Sequence, residues 1–236
     1  MNIVITAGGT SEYIDTVRKI TNSGTGRLGN IIANILSDDN KIFYICTPKS
    51  IRPAASKNIK IIEVEGTIGL KEAVEKVLKT ERIDWFIHSM AVSDYVVDYV
   101  STAAMLNEYL LCNGVNEENI KYNKNILNKN TKISSDEENI VISLRKAPKI
   151  IKIIKEISPE TKLIGFKLLT GASFDDLLIA AKKLMDTNDC DYVIANDLNY
   201  ISEEKHIAYI LDKEYKYKKV LTKEEIAQNI KQIINI

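Results

Sequence analysis

The chain has 236 residues, 45% of them hydrophobic, which is enough to bury a full core in a single α/β domain. Its 32 basic and 32 acidic side chains give a formal net charge of zero, which argues against nucleic acid or an acidic membrane as partner and favours small molecules. No apolar run approaches the ~20 residues that span a bilayer, and no leader precedes the first strand, so we expect a cytoplasmic protein without a membrane segment.

The predicted first strand, Asn2–Ala7, ends in the glycine loop Gly8-Gly9-Thr10. Because glycine has no Cβ, the backbone N–H groups of such a loop can approach an anion closely. A second glycine loop, Gly24-Thr25-Gly26, leads into an apolar helix at Ile31–Ile35, whose N-terminus adds partial positive charge. The two loops predict a phosphate site. The dinucleotide spacing G-x-G-x-x-G is absent, and a tight turn that only reverses the chain is the alternative.

Two polar side chains lie between these loops. Arg18 offers a fork of donors suited to a carboxylate or phosphate, and Asn22 can donate to an oxyanion without carrying a charge. Taken singly, each is better explained as a surface residue or a helix cap. Their occurrence beside both glycine loops favours a role in ligand binding.

Along the chain, short hydrophobic runs alternate with segments of helical period, which is typical of a parallel sheet covered by helices on both faces. We therefore predict a three-layer, Rossmann-like α/β fold over residues 1–236. Residues at three- and four-residue spacing predict helices at Leu70–Leu78, Phe174–Met185 and Ile226–Ile233. The predicted strands are Ile3–Thr6, Ile42–Cys46, Ile59–Val64, Trp85–His88, Ile140–Leu144, Leu163–Phe166 and Tyr192–Ala195.

The fourth predicted strand ends in His88 and is followed by small residues and Asp94. Ligands of open α/β sheets bind at the carboxyl ends of strands, so Asp94 is a candidate for a ligand hydroxyl, an amide or a magnesium ion; a helix N-cap is the alternative. A lone histidine that closes a buried strand is more often a hydrogen-bonded core residue, and we assign His88 no chemistry.

The segment from about 96 to 136 interrupts the alternation. It contains one short helical patch, Ala103–Leu111, and then an Asn- and Lys-rich run, Asn123–Lys132, without an apolar period. Composition alone indicates a solvated surface loop. Long connections in compact domains are usually functional or mobile.

Local signals mark the later elements. Ser173 and Asp176 stand where N-terminal capping residues belong, and residues 222–225 (TKEE) resemble a capping box. Residues 205–219 predict a β-hairpin, His206–Leu211 followed by Tyr215–Tyr217, which we expect to be peripheral to the active site.

The three cysteines, Cys46, Cys112 and Cys190, are odd in number and far apart. With His88 and His206 as the chain's histidines, this spacing argues against a disulfide framework or a zinc site. The ligands of any other metal cannot be named from the pattern.

Seven segments, in order and spacing, resemble phosphopantothenate–cysteine ligase of the stand-alone bacterial type, and because the glycine loop begins at residue 8 we expect no preceding domain. They are ITAGGT (Ile5–Thr10), VRKITNSGTGRLG (Val17–Gly29), MAVSDY (Met90–Tyr95), KISS (Lys132–Ser135), KAPKII (Lys146–Ile151), GFKLLT (Gly165–Thr170) and ANDL (Ala195–Leu198).

The resemblance implies a homodimeric ligase of coenzyme A biosynthesis with a shared active site. In this family the carboxylate of 4′-phosphopantothenate attacks CTP with Mg²⁺, an acyl-cytidylate forms and pyrophosphate leaves. The amine of L-cysteine then displaces CMP to give 4′-phosphopantothenoylcysteine. Lys167 of GFKLLT also occurs in eukaryotic relatives that use ATP, so an ATP-dependent version of the ligase is an alternative.

The resemblance also implies roles for single residues. Asn22 matches the asparagine of the acyl-nucleotide step, Arg18 an arginine that reaches phosphopantothenate across the dimer, and Lys132 a lysine on a flexible active-site flap, about 96–136. This last match replaces the composition-based interpretation of a plain surface loop. Substrate would be bound by Arg18, Asn22, Met90, Ala91 and Asp94. Nucleotide would be bound by Gly8, Gly9, Thr10, Gly24, Gly26, Asp94, Lys132, Pro148, Phe166 and either Lys182 or Lys183.

Two other functions compete with the ligase. A short-chain NAD(P) reductase needs a helical Y-x-x-x-K pair, but Tyr209 with Lys213 and Tyr215 with Lys219 fall in the predicted hairpin. A non-catalytic nucleotide-binding module could dispense with the predicted catalytic side chains Arg18, Asn22 and Lys132, yet all three are present. The sequence therefore favours the ligase.

Overall fold

Twelve strands and seven helices form the described part of the computed structural model, which covers residues 1–202 and 205–235. The strands are β1 (Asn2–Ala7), β2 (Ser11–Tyr13), β3 (Lys19–Thr21), β4 (Lys41–Cys46), β5 (Ile59–Glu63), β6 (Trp85–His88), β7 (Tyr95–Thr102), β8 (Ile140–Lys146), β9 (Lys162–Leu169), β10 (Tyr192–Ile201), β11 (His206–Asp212) and β12 (Tyr217–Val220). The helices are α1 (Arg27–Leu36), α2 (Gly66–Thr80), α3 (Ala103–Asn113), α4 (Glu117–Lys121), α5 (Ile150–Ile157), α6 (Phe174–Asn188) and α7 (Lys223–Ile234).

The central sheet has eight strands in the order β12-β11-β10-β9-β6-β1-β4-β5. From β5 to β10 neighbouring strands pair in parallel, and β11 and β12 continue the sheet in antiparallel pairing. The chain runs outward from β1 to β4 and β5, then returns to β6 on the other side of β1. Strand order therefore reverses between β1 and β6, and this is where open α/β sheets form a ligand crevice.

The sheet separates two hydrophobic cores. Ile3 and Ile5 of β1 face one core with α1 and α7, while Val4 faces the other core with α2, α5 and α6. Because the central strands are buried on both faces, their sequences are continuous apolar runs, as is typical of parallel strands. The predicted three-layer, Rossmann-like fold is thus confirmed.

The prediction for Ile140–Leu144 is wrong in one respect. The segment is a strand, β8, but it pairs antiparallel with β7 in a separate two-stranded ribbon and not within the parallel sheet. Its side chains are half-buried or exposed, because the ribbon packs only on a small core of Val97, Val100 and Ile133. The segment 96–136 is correspondingly more structured than its composition indicates, since β7, α3 and α4 lie within it.

The local predictions near the C-terminus are confirmed. The hydroxyl of Ser173 accepts a hydrogen bond from Asp176 N, and that of Thr222 accepts one from Glu225 N. The hairpin of β11 and β12 is present, and both Y-x-x-x-K pairs lie on it and its turn. Five elements were not predicted: the strands β2, β3 and β7, and the helices α4 and α5.

All three cysteines are free; Cys46 and Cys190 are buried, and Cys112 is exposed. Within residues 1–202 and 205–235, no helix has the length and apolar character needed to cross a membrane.

A buried polar ladder joins the carboxyl ends of β1 and β6. Thr6 Oγ1 lies 2.8 Å from His88 Nδ1, Ser89 Oγ donates to Thr6 O at 2.6 Å, and Met90 N donates to Thr6 Oγ1 at 3.3 Å. His88 is therefore the hydrogen-bonded core residue that its sequence position indicates. Burial lowers the pKa of His88 from 6.5 to about 4, so the ring is neutral at pH 7.

We expect protonation of His88 to weaken the fold in mildly acidic solution. Because its folded pKa lies below the unfolded value of 6.5, the unfolded chain binds more protons between pH 6.5 and 4, and stability falls as pH falls through that window. His88→Gln should reduce the loss of unfolding free energy between pH 7 and pH 5 by about 2 kcal/mol, measured by urea denaturation. An identical loss in the wild type and the variant would contradict this account.

Candidate functional site

A cavity of about 570 Å³ lies where β1, β6 and β9 end. Two other grooves, of about 670 and 770 Å³, lie along the β7–β8 ribbon, away from the strand-order reversal. The first cavity is the candidate functional site because it occupies the crevice that the topology creates. It brings together eight of the residues predicted from the sequence, which are Gly8, Gly24, Gly26, Met90, Ala91, Asp94, Pro148 and Phe166.

The two glycine loops form one wall of this cavity by packing against each other. A Cβ on Gly24 would lie 2.6 Å from Gly8 O, and a Cβ on Gly9 would overlap the main chain of Asn22. Gly8 and Gly26 also have positive φ angles of 96° and 80°, which other residues rarely adopt. The glycines are therefore required for loop packing, and this packing brings both loops next to the first turn of α1.

The loop after β6 completes that wall. Ala91 N donates to Gly8 O at 2.8 Å and Thr10 N donates to Ala91 O at 3.0 Å, which extends the pairing of β1 and β6 beyond the strands. Asn22 Nδ2 also donates to Ala91 O, at 3.1 Å, and Asn22 N donates to Thr10 O. The Asn22 amide is thus held at the junction of all three loops.

Asp94 is the one acidic side chain among the described residues that line the cavity. It is exposed and forms an ion pair with Lys149, the residue that precedes α5. A strand follows Asp94, not a helix, so the alternative of a helix N-cap is wrong. The carboxylate is consequently available to the cavity.

Four basic side chains line the cavity, and they make it suitable for an anion: Arg27, Lys149, Lys167 and Lys223. Burial, and then the nearby charge of Arg27, lower the pKa of Lys223. This crowding of positive charge would be relieved by a bound phosphate. Arg27 lies within the VRKITNSGTGRLG segment, Lys149 within KAPKII and Lys167 within GFKLLT, but nothing in the sequence around Lys223 marks it as part of a site.

His206 also lines the cavity, so the expectation that the hairpin is peripheral to the site is wrong for its first residue. Because β11 runs antiparallel to its neighbours, its beginning lies at the edge of the sheet where the parallel strands end. His206 Nε2 lies 3.3 Å from Asn196 Nδ2, and Nδ1 has no hydrogen-bond partner among the described residues. Burial, and then the charge of Lys223, lower the pKa of His206 to about 4.

Gly9, Thr10 and Asn22 belong to the loops at this wall but do not line the cavity, and the structure does not bring Arg18, Lys132, Lys182 or Lys183 into it either. Arg18 contacts Asp15 and Ile133, and Lys132 is the exposed neighbour of Ile133. Lys182 Nζ lies 5.1 Å from the ring centroid of Tyr215 in the β11–β12 turn, at the opposite end of the sheet. Lys183 is exposed on α6, and the roles of all four stay predictions.

Comparison with known proteins places the chain among proteins of pantothenate metabolism. The family model described as "DNA/pantothenate metabolism flavoprotein C-terminal domain" matches residues 1–110 and 121–236. The solved structure of the DNA/pantothenate metabolism flavoprotein from Streptococcus pneumoniae is 38% identical, with a TM-score of 0.86, and the match covers 100% of this chain and 98% of that one.

Two curated relatives carry the name coenzyme A biosynthesis bifunctional protein CoaBC. That of Thermococcus kodakarensis is 31% identical over 229 residues, and that of Methanocaldococcus jannaschii is 26% identical over 233 residues. In both cases the match covers 97% of this chain and 49% of the relative. The chain therefore spans about half the length of the curated relatives it matches.

The contact between the glycine loops can be tested by adding one methyl group. Gly24→Ala places a Cβ 2.6 Å from Gly8 O and 3.0 Å from Gly8 C. We expect a destabilisation of about 1–3 kcal/mol, because these two atoms belong to the main chain and cannot move aside as a side chain can. Gly69→Ala on α2 is the matched control, since nothing lies within 4 Å of its added Cβ, and it should be neutral or stabilising by about 0.5–1 kcal/mol. Urea unfolding of the two variants checks this, and equal stabilities would contradict the packing account.

Proposed function

The chain belongs to the family of the DNA/pantothenate metabolism flavoprotein C-terminal domain, and from this premise we propose that it is a phosphopantothenate–cysteine ligase. It joins 4′-phosphopantothenate to L-cysteine, consumes CTP and releases CMP and pyrophosphate. The observation that carries the proposal is the cavity at the β1–β6 reversal, where two glycine loops and four basic side chains surround one exposed carboxylate. Such a site suits the polyanionic substrates of this reaction.

The chemistry requires that two anions meet. A carboxylate is a poor acylating agent because its leaving group would be oxide, so the 4′-phosphopantothenate carboxylate first attacks the α-phosphate of CTP and displaces pyrophosphate. The cysteine amine then attacks the acyl-cytidylate carbonyl, and CMP leaves with the C–O bond electrons. Neutralising the charge of both reactants and holding them in line are the protein's main contributions.

Individual residues are assigned from their surroundings in the cavity. The glycine loops and the first turn of α1 offer backbone N–H groups to the nucleotide phosphates, with Arg27 and Lys223 as counter-charges. Lys149 and Lys167 stand on the opposite side, near Pro148 and Phe166, which provide an apolar surface for the base. This arrangement supports these basic residues over Lys182 and Lys183 as the phosphate-binding lysines.

The remaining residues are assigned from their position at or near the junction of the three loops. Asn22 donates to Ala91 O and so lies where an acyl carbonyl could take the place of that acceptor. Met90 and Ala91 contact the substrate through the main chain of their loop, and Asp94 binds the nucleotide.

Mg²⁺ fits the donor set of this cavity as a substrate-bound ion. No group of three or more His, Cys, Asp or Glu side chains that could hold a metal occurs in residues 1–202 or 205–235. Mg²⁺ is commonly bound by one or two carboxylates together with substrate phosphates, and Asp94 provides one carboxylate. When bound, the ion neutralises charge on the triphosphate.

We further propose a homodimer that works in the cytoplasm, where its CTP and cysteine are available. Apolar side chains are exposed on the β2–β3 hairpin and the β7–β8 ribbon; Val17 is 61% exposed, Ile20 41% and Tyr95 50%. An apolar surface of this kind on a neutral protein is suited to a second copy. Arg18 stands beside Val17 on this surface, which supports a role for Arg18 in the neighbouring subunit's site.

The direct test is to incubate the protein with 4′-phosphopantothenate, L-cysteine and Mg²⁺, and with CTP or ATP in separate reactions. We expect cysteine-dependent formation of 4′-phosphopantothenoylcysteine and release of CMP, with CTP the better nucleotide. Preference for ATP would correct the nucleotide but keep the reaction, because Lys167 also suits ATP-dependent relatives. Absence of product with either nucleotide would refute the proposal.

Asn22→Asp tests the role of the amide. A carboxylate cannot donate to a carbonyl oxygen that gains negative charge, so we expect nucleotide binding to persist while cysteine-dependent CMP release falls by about 10²–10³-fold. Asn229→Asp makes the same chemical change at a half-buried position of α7, outside the cavity, where the side chain donates to Glu225 O. The assigned role is wrong if Asn22→Asp releases CMP at the rate of this control.

A further inference from the structure

A buried carboxylate lies outside the cavity and is not used by the mechanism above. Asp15 is 1% exposed, in the turn between β2 and β3. Its Oδ1 accepts from Val17 N and Arg18 N, both at 2.8 Å, which closes the turn. Its Oδ2 accepts from Arg18 Nη1 at 2.6 Å and from Ile133 N at 3.1 Å. One carboxylate thus joins two segments that are 118 residues apart in sequence.

The segment that contains Ile133 is held through both the N–H and the C=O group of this residue. Ile133 N donates to Asp15, and Ile133 O accepts from Arg18 Nη1 at 3.1 Å. The Ile133 side chain is buried with Val97 and Val100 in the small core beneath the ribbon. Lys132 is therefore the exposed residue directly before a main-chain position that cannot move without breaking these contacts.

We propose that Asp15 is a positioning residue that holds Lys132 in register with Arg18. This inference rests on the proposed function, in which Arg18 serves phosphopantothenate and Lys132 serves the triphosphate. The carboxylate orients the Arg18 guanidinium with Oδ2 and, with the same atom, fixes the backbone next to Lys132. The Arg18 guanidinium and the main chain next to Lys132 are thereby held on one carboxylate before either substrate binds.

The charge state of Asp15 supports this role. Burial by itself raises the pKa of this carboxyl group, but the N–H groups of Val17, Arg18 and Ile133 and the charge of Arg18 together lower it to about 2. The group is thus ionised at neutral pH, as an acceptor of four hydrogen bonds must be.

Asp15→Asn separates this role from a general structural one. The amide oxygen can still accept from Val17 N and Arg18 N and keep the turn, whereas the amide nitrogen cannot accept from Ile133 N or Arg18 Nη1. Asp197→Asn is the matched control. Asp197 is also a buried aspartate that accepts from two backbone N–H groups, of Ala172 and Asn199, but it has no contact with the Lys132 segment.

The first measurement is hydrogen exchange of the folded proteins, which does not depend on any activity. We expect the Ile133 amide to exchange at least about tenfold faster in Asp15→Asn than in the wild type, and at the wild-type rate in Asp197→Asn. Unchanged protection of Ile133 in Asp15→Asn would overturn the proposal. Should Asp15→Asn fail to fold, Asp15→Ser gives the same test, because a hydroxyl can keep the turn but is too short to reach Ile133.

The second measurement is a double-mutant cycle on kcat/KM for the nucleotide. We expect Lys132→Ala to lower it by about tenfold or more in the wild type and in Asp197→Asn, but by less than about threefold in Asp15→Asn, where Lys132 is already misplaced. Equal effects of Lys132→Ala in all three backgrounds would overturn the proposal. A wild type without ligase activity would refute the proposed function, while the exchange result would still decide whether Asp15 holds the segment.

Discussion

The two glycine loops meet at a distance that allows no side chain between them, and the position of the site depends on this contact. A Cβ on Gly24 would approach Gly8 O to 2.6 Å, and a Cβ on Gly29 would approach Ala7 Cβ to 2.6 Å. The first contact joins the loops and the second lets α1 pack directly on β1. Because glycine allows both of these close contacts, the first turn of α1 lies next to the carboxyl ends of β1 and β6, where its N–H groups can bind an anion.

The electrostatics of the cavity follow from this arrangement. Arg27 begins α1 and Lys223 begins α7, so both basic groups belong to first helical turns on the same face of the sheet. Lys149 directly precedes α5, and Lys167 lies on β9. Because these residues come from four elements, a rigid cavity holds charges that repel one another until an anion binds, which favours a polyphosphate over a neutral ligand.

The sequence predicted the elements whose burial is visible in their own residues. The runs of β1, β4 and β6 are apolar throughout because both faces are covered, and the fold followed from them. By contrast, β2 and β3 have three residues each with exposed or half-buried side chains, so neither gives an alternating pattern. Their pairing depends on the turn that Asp15 Oδ1 closes, while Asp15 Oδ2 accepts from Ile133 N in a distant segment.

The residues of the candidate site also divide into those that the sequence predicts and those that it does not. Glycine loops, Asn22 and Asp94 were recognisable because each follows a strand or loop that the sequence itself marks. His206 and Lys223 were not, because their approach to the cavity results from the antiparallel direction of β11 and from the packing of α7 on α1. Neither fact is contained in the residues around them.

The position of β3 separates the site into two parts. Arg18 directly precedes this strand and Asn22 directly follows it, so an extended chain of ~3.3 Å per residue keeps their Cα atoms about 13 Å apart. Asn22 is bound to Ala91 at the cavity, while Arg18 is bound to Asp15 and Ile133 on the ribbon side. The same short strand therefore places Asn22 against Ala91, which lines the cavity of its own subunit, and Arg18 on the surface proposed for the second copy. In the proposed dimer, each site would be completed by an arginine that its own chain cannot deliver.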